Sequence, residues 1–192
     1  MKTRTYIAVL LSAIFITSTL IWTISCTHLQ SPSAMLKADS VKSDSANKAM
    51  DVQFVVKVAG INMEEIKLGQ LAQQKSKTTD IKELGKMMEE EHTKAQSDLA
   101  ALAMKESIIL PTALDSNAQK DYEKLSDLSG SDFDKQYCDM MVSGHKAAIA
   151  LFEKESTTAS DTAIRQMAGA TIPTLKKHLE HATMCQQNSG KM

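Results

Sequence analysis

Apolar residues recur along this chain with the period of an α-helix, about 100° per residue, in four long segments. The pattern predicts helices over about 48–75, 80–106, 131–156 and 161–187. Thr79 or Asp80 is the expected N-cap of the second, and Ser160 or Asp161 that of the fourth. Between the second and third, Pro111 keeps the preceding Ile108, Ile109 and Leu110 extended. Asp115 or Ser116 then caps a short helix to about Leu128, and Gly130 ends it. No strand-period run of useful length occurs. The fold class is all-α, a four-helix bundle with a long connection between its second and third helices that carries a short helix.

Each long segment holds one polar residue inside its apolar stripe. Glu65 lies in phase with Phe54, Val58, Ile61, Leu68 and Ala72, and His92 with Ile81, Met88, Ala95 and Leu99. His145 shares a face with Cys138, Met141, Ile149 and Phe152, and His178 with Ile164, Thr171, Leu175 and Ala182. A buried ionisable group is costly unless it is hydrogen-bonded, paired or bound to a metal. Four facing one core need each other or an ion.

Topology decides whether they meet. Glu65 and His92 are equidistant from the first turn, so an antiparallel hairpin sets them level. His145 and His178 require a turn centred near Asp161, slightly later than the Ser/Thr-rich break, a mismatch on the order of 9 Å at 1.5 Å per residue. The connection 107–130 is long enough to cross the bundle, which predicts parallel second and third helices, as in ferritin-like folds. That crossover brings all four polar residues to similar depth.

Composition narrows the function classes. The chain has 192 residues and a formal net charge of -1, which leaves no electrostatic footprint for nucleic acid. Its single Trp falls in the N-terminal apolar run, so the domain lacks aromatic platforms for stacking bases or sugars. No Gly-rich phosphate loop, nucleophile motif or Cys-x-x-Cys occurs, and nothing points to an enzyme.

The N-terminus reads as a bacterial export signal over 1–25: Lys2 and Arg4, then an apolar run over 6–25. Thr23-Ile24-Ser25-Cys26 resembles a lipoprotein cleavage box with Cys26 as the lipidated residue, although Thr23 replaces the usual Leu. The same run is long enough to serve as an uncleaved anchor, and cleavage without lipidation is a third reading. All three put the domain outside the cytoplasm. The lipoprotein reading implies attachment to the outer membrane through a lipid anchor, facing the periplasm or the surface. Ser-, Lys-, Asp- and Ala-rich residues 26–47 read as a flexible tether, residues 48–187 as the bundle and 188–192 as a tail. His28 lies in the tether.

As chemistry, Glu65, His92, His145 and His178 form a candidate site for one divalent ion, with zinc, iron and manganese as the metals considered. Glu89, three residues before His92, has di-iron spacing, but His178-x-x-His181 and His145 stand where such a centre needs glutamates. Glu91, Asp134 and His181 are further candidates for the surroundings of the site; Asp134 and Tyr137, at the start of the third long helix, either serve it or only close the bundle end. The competing reading is a metal-free buried network in a non-enzymatic binding protein. Cys138 and Cys185, each a heptad from its helix's histidine, are expected either to form a disulfide or to remain buried thiols. Methionines such as Met63, Met88, Met141 and Met167 read as pliable core filler. Buried neutral histidines should make the fold lose stability as pH falls from 7.5 to 5.

Several local patterns carry a resemblance. They are Glu65-Ile66-Lys67-Leu68-Gly69, Met87-Met88 with Glu91-His92-Thr93-Lys94-Ala95, Leu110-Pro111-Thr112, Phe133-Asp134-Lys135-Gln136-Tyr137, His145-Lys146-Ala147 and Pro173-Thr174-Leu175-Lys176-Lys177-His178-Leu179. In this order the chain resembles a widespread bacterial envelope family of unknown function, whose members are labelled outer-membrane proteins. The resemblance implies a ferritin-like fold and an envelope location, and no activity. Glu91 stands where the family usually has Asp, and Cys138, Cys185 and His181 lie outside its pattern.

Overall fold

The computed structural model describes residues 32–189, with side-chain surroundings from residue 44 onward. The expected export signal, Cys26 and His28 lie outside the described residues. Five helices follow in order: α1 (Pro32–Lys75), α2 (Thr79–Lys105), α3 (Ser116–Ser126), α4 (Gly130–Thr158) and α5 (Thr162–Ser189). Four of them form the expected ferritin-like bundle, and α3 is the short helix of the connection. Among the described residues no helix is long and apolar enough to cross a membrane.

One boundary differs. The tether was expected over 26–47, yet α1 begins at Pro32. Ala, Met, Leu and Lys are interspersed there with weaker Ser, Asp and Asn, and neither Gly nor Pro interrupts the helix between Pro32 and Gly60. Residues 44–50 are exposed apart from half-buried Asn47, so composition signalled a lack of packing rather than a lack of helix. At the other end α5 continues to Ser189, through the first residues of the expected tail.

Two hairpins, α1–α2 and α4–α5, pack so that α1 meets α4 and α2 meets α5. One apolar cluster joins the C-terminal half of α1, the start of α2, the start of α4 and the end of α5 through Leu68, Ile81, Met88, Phe133, Tyr137 and Ala182. The other joins the opposite ends through Phe54, Val58, Leu99, Phe152, Ile164 and Leu175. Helices α2 and α4 are therefore parallel, and the connection through α3 crosses the bundle as its length required. It leaves α2 by a left-handed Ser107 (φ 57°), with Ile108 N–H donating to the Ala103 carbonyl at 2.8 Å. Asp115 caps α3 by accepting from the amides of Asn117 and Ala118 at 2.7 and 3.0 Å.

Each hairpin's turn is held by a carboxylate of the other hairpin. Buried Asp51 on α1 accepts from the amides of Ser160 and Asp161 at 2.9 and 2.8 Å and from the Ser160 hydroxyl at 2.5 Å. Asp134 on α4 accepts from the Thr78 hydroxyl at 2.7 Å in the α1–α2 turn. The α4–α5 turn is thereby centred on Ser160, close to the position that levels His145 with His178.

Gly69 and Gly85 fix the register of α1 against α2. A Cβ on Gly69 would lie 2.5 Å from the Gly85 carbonyl oxygen, and one on Gly85 would lie 2.7 Å from that of Gly69. Both obstacles are backbone, so relief requires the helices to part. Gly85→Ala is accordingly expected to cost about 1–3 kcal/mol in urea unfolding, outweighing the ~1 kcal/mol that alanine gains by helix propensity. A more stable Gly85→Ala protein would show that the crossing is looser than described.

Candidate metal centre

His92 on α2, His145 on α4 and His178 on α5 meet between the two apolar clusters, at 4 %, 1 % and 1 % exposure. Their ring centroids are 5.2–5.8 Å apart, and one ring nitrogen from each lies within 4.8 Å of the others.

Hydrogen-bond partners fix the tautomers. His145 Nδ1 lies 2.9 Å from the Met141 carbonyl, which can only accept, so Nδ1 carries the proton. His92 Nδ1 lies 3.0 Å from Asn62 Oδ1, whose own amide donates to Gln96 Oε1 at 3.2 Å, so this Nδ1 is also protonated. His178 Nε2 donates to Glu91 Oε2 at 2.8 Å. In the neutral rings His92 Nε2, His145 Nε2 and His178 Nδ1 then bear bare lone pairs. His145 Nε2 and His178 Nδ1 face each other at 3.3 Å, and His92 Nε2 is buried without a hydrogen-bond partner.

Electrostatics keeps the rings neutral. Burial, then the neighbouring His178 and His145, lowers the His92 pKa to about 3. Burial lowers His145 to about 4, against the hydrogen bond to Met141. His178 is also lowered by burial, opposed by Glu91. Burial pushes Glu91 up, but hydrogen bonds from His178 and Lys177 more than offset it and hold the carboxylate below its usual range. Lys177 Nζ completes that pair at 3.0 Å.

Glu65 was expected as a fourth ligand, and its position corrects this. Its Oε1 lies 3.8 Å from His145 Nδ1, the nitrogen already committed to Met141, on the side of the ring away from the convergent lone pairs. Oε2 has no partner, and burial, with Glu64 nearby, raises the carboxyl pKa to about 8. At neutral pH Glu65 is a protonated acid behind His145.

Of the outer candidates only Glu91 reaches the histidines. Glu89 instead accepts from Gln70 and Gln73 of α1 at 2.9 and 2.7 Å. Asp134 holds the α1–α2 turn, and exposed His181 borders a separate hollow beside Cys185. Tyr137 is fully buried, and burial first, then Glu65, raises its pKa. Cys138 and Cys185 are free thiols, not a disulfide; their mutual hydrogen bond and burial raise the Cys138 pKa. Asn62, the orienting partner of His92, was missed. Its place three residues before Glu65 in the α1 core stripe was the available signal.

The family described as "Domain of unknown function (DUF4142)" matches residues 36–184 of this chain. A solved structure, the crystal structure of a DUF305 fragment from Deinococcus radiodurans, is similar with a TM-score of 0.62 at 13 % identity. That likeness covers 74 % of this chain and 96 % of the fragment, and it shows the fold alone. No curated protein matches the chain.

The pKa shifts oppose one another across neutral pH. Each histidine's folded pKa lies below its unfolded value near 6.5, so its stabilising effect is complete above that pH. It is lost as pH falls towards the folded value, by up to ~1.4 kcal/mol per pH unit. Glu65 works the other way: its folded pKa lies above the unfolded 4.5, so stability is lost as pH rises from there through about 8. Three histidines outweigh one carboxyl below pH 6.5, and above it the carboxyl acts without them. The unfolding free energy of metal-free protein should therefore rise from pH 5 to about 6.5 and fall towards pH 8. Glu65→Gln should remove the upper fall. A wild-type curve that climbs through pH 8 would show Glu65 ionised and paired.

Proposed function

Because the chain belongs to the DUF4142 family of domains of unknown function, whose name carries no activity, we propose from its own geometry that it binds one divalent metal ion, zinc in preference to iron or manganese. The observation that carries this is the convergence of three unprotonated imidazole nitrogens, each ring anchored through its other nitrogen to a fixed acceptor. That is the usual outer arrangement of metal-bound histidines. Tetrahedral zinc at ~2.0–2.1 Å per bond places its nitrogens ~3.4 Å apart. The His145–His178 pair already stands at 3.3 Å, which leaves the His92 ring to draw in. With Glu65 protonated behind His145, no carboxylate faces the lone pairs, and an all-imidazole set suits zinc better than manganese or a two-histidine, one-carboxylate iron site.

A purely structural network is the rival reading. It requires a donor between His145 Nε2 and His178 Nδ1, and the neutral tautomers provide none. The N-terminal export signal and Cys26 support an envelope-tethered location, in which this centre would bind metal outside the cytoplasm. Three protein nitrogens would leave one coordination position open on a tetrahedral ion.

Untagged protein titrated with zinc should bind one equivalent by native mass spectrometry and calorimetry, with little proton release between about pH 6 and 8, because burial already keeps the three rings unprotonated. His92→Ala should abolish tight binding, and Asn62→Ala should weaken it about 10–100-fold through loss of ring orientation. Undiminished binding in a protein with all three histidines replaced would refute the assignment.

A further inference from the structure

Resting on the metal reading, we infer that the fourth coordination position takes the carboxylate of a small monocarboxylic acid whose alkyl tail lies in the adjoining apolar cavity. A cavity of about 550 Å³ reaches His92 and His178 but not His145, so it opens onto the centre from the side opposite Glu65. Its size falls within the range of small-molecule sites. Val58, Leu99, Phe152, Met167 and Leu175 give it aliphatic and aromatic walls. The polar groups at its inner end are the two histidines with Asn62 and Glu91, and both of the latter are already engaged in hydrogen bonds. A free donor for an uncharged polar head is therefore scarce at that end, and a ligand must satisfy the metal itself.

Charge selects the head group. Three neutral imidazoles leave a bound dication with its full double charge, and Glu91 offsets it only through the His178 ring. An anionic oxygen ligand neutralises the metal directly, and carboxylate oxygen is a normal zinc donor at ~2.0–2.2 Å. The walls reward an alkyl tail, and the lysine that lines the cavity, Lys94, is already paired with Asp98 at 2.8 Å, which favours a monocarboxylate over a dicarboxylate or phosphate. Each buried methylene should tighten binding about fourfold.

The test uses the full chain loaded with Co²⁺, whose visible d–d bands report ligands at the metal. Acetate and hexanoate are titrated separately, with succinate as the doubly charged comparison. Both monocarboxylates should shift the bands, hexanoate at concentrations on the order of 100-fold lower than acetate, and succinate should gain nothing over acetate. Ala95→Phe, which places a ring in the cavity, should bring hexanoate down to the acetate affinity. Equal affinities for acetate and hexanoate, or hexanoate binding that leaves the cobalt bands unmoved, would overturn the inference. So would tetrahedral cobalt bands that no acid perturbs, an outcome in which the metal reading stands and this one fails. Absence of bound cobalt would instead remove the metal reading, and this inference with it.

Discussion

Two imidazole nitrogens that carry lone pairs face each other at 3.3 Å in the core, and a third lies close by without a partner. In water such rings would turn or pick up protons. Here neither is cheap, because burial disfavours the imidazolium and each ring is pinned by an acceptor. Met141's carbonyl belongs to the backbone of α4 and cannot switch roles. Asn62 is held by Gln96, and Glu91 by Lys177. The repulsion is therefore preserved by the surroundings, and a cation at the centre of the three rings would relieve it.

The fold serves that constraint through its connection. A short loop after α2 would have made α4 antiparallel to it and changed the depth at which His145 meets its partners. The crossover through α3 makes α2 and α4 parallel, and the grips of Asp51 and Asp134 on opposite turns lock the two hairpins at one relative height. Gly69 and Gly85 do the same within the α1–α2 hairpin by bringing backbone against backbone. Stability and site geometry thus share the same contacts.

Much of this was legible in the sequence. Helical periodicity located α2 to α5 and the core part of α1 to within a few residues, and it identified His92, His145 and His178 as buried. Connection length gave the crossover. Periodicity reports which face of a helix a residue occupies and not which side of a neighbouring ring it reaches, so Glu65 was read as a ligand although it lies behind His145. Polarity misled at 32–47, where a composition poor in apolar residues was read as a flexible tether although α1 spans it. Asn62 was visible in the α1 stripe, but its role depends on Nδ1 of a histidine thirty residues away, which no local pattern encodes.

The tautomers carry the account, and two-dimensional ¹⁵N–¹H correlation of the imidazole side chains measures them directly. In metal-free protein above pH 6.5, His92 and His145 should be protonated on Nδ1 and His178 on Nε2. One equivalent of zinc should then shift His92 Nε2, His145 Nε2 and His178 Nδ1 while the protonated nitrogens keep their hydrogens. Opposite or exchanging tautomers, or zinc that leaves those three nitrogens unshifted, would contradict a metal centre built by convergent lone pairs.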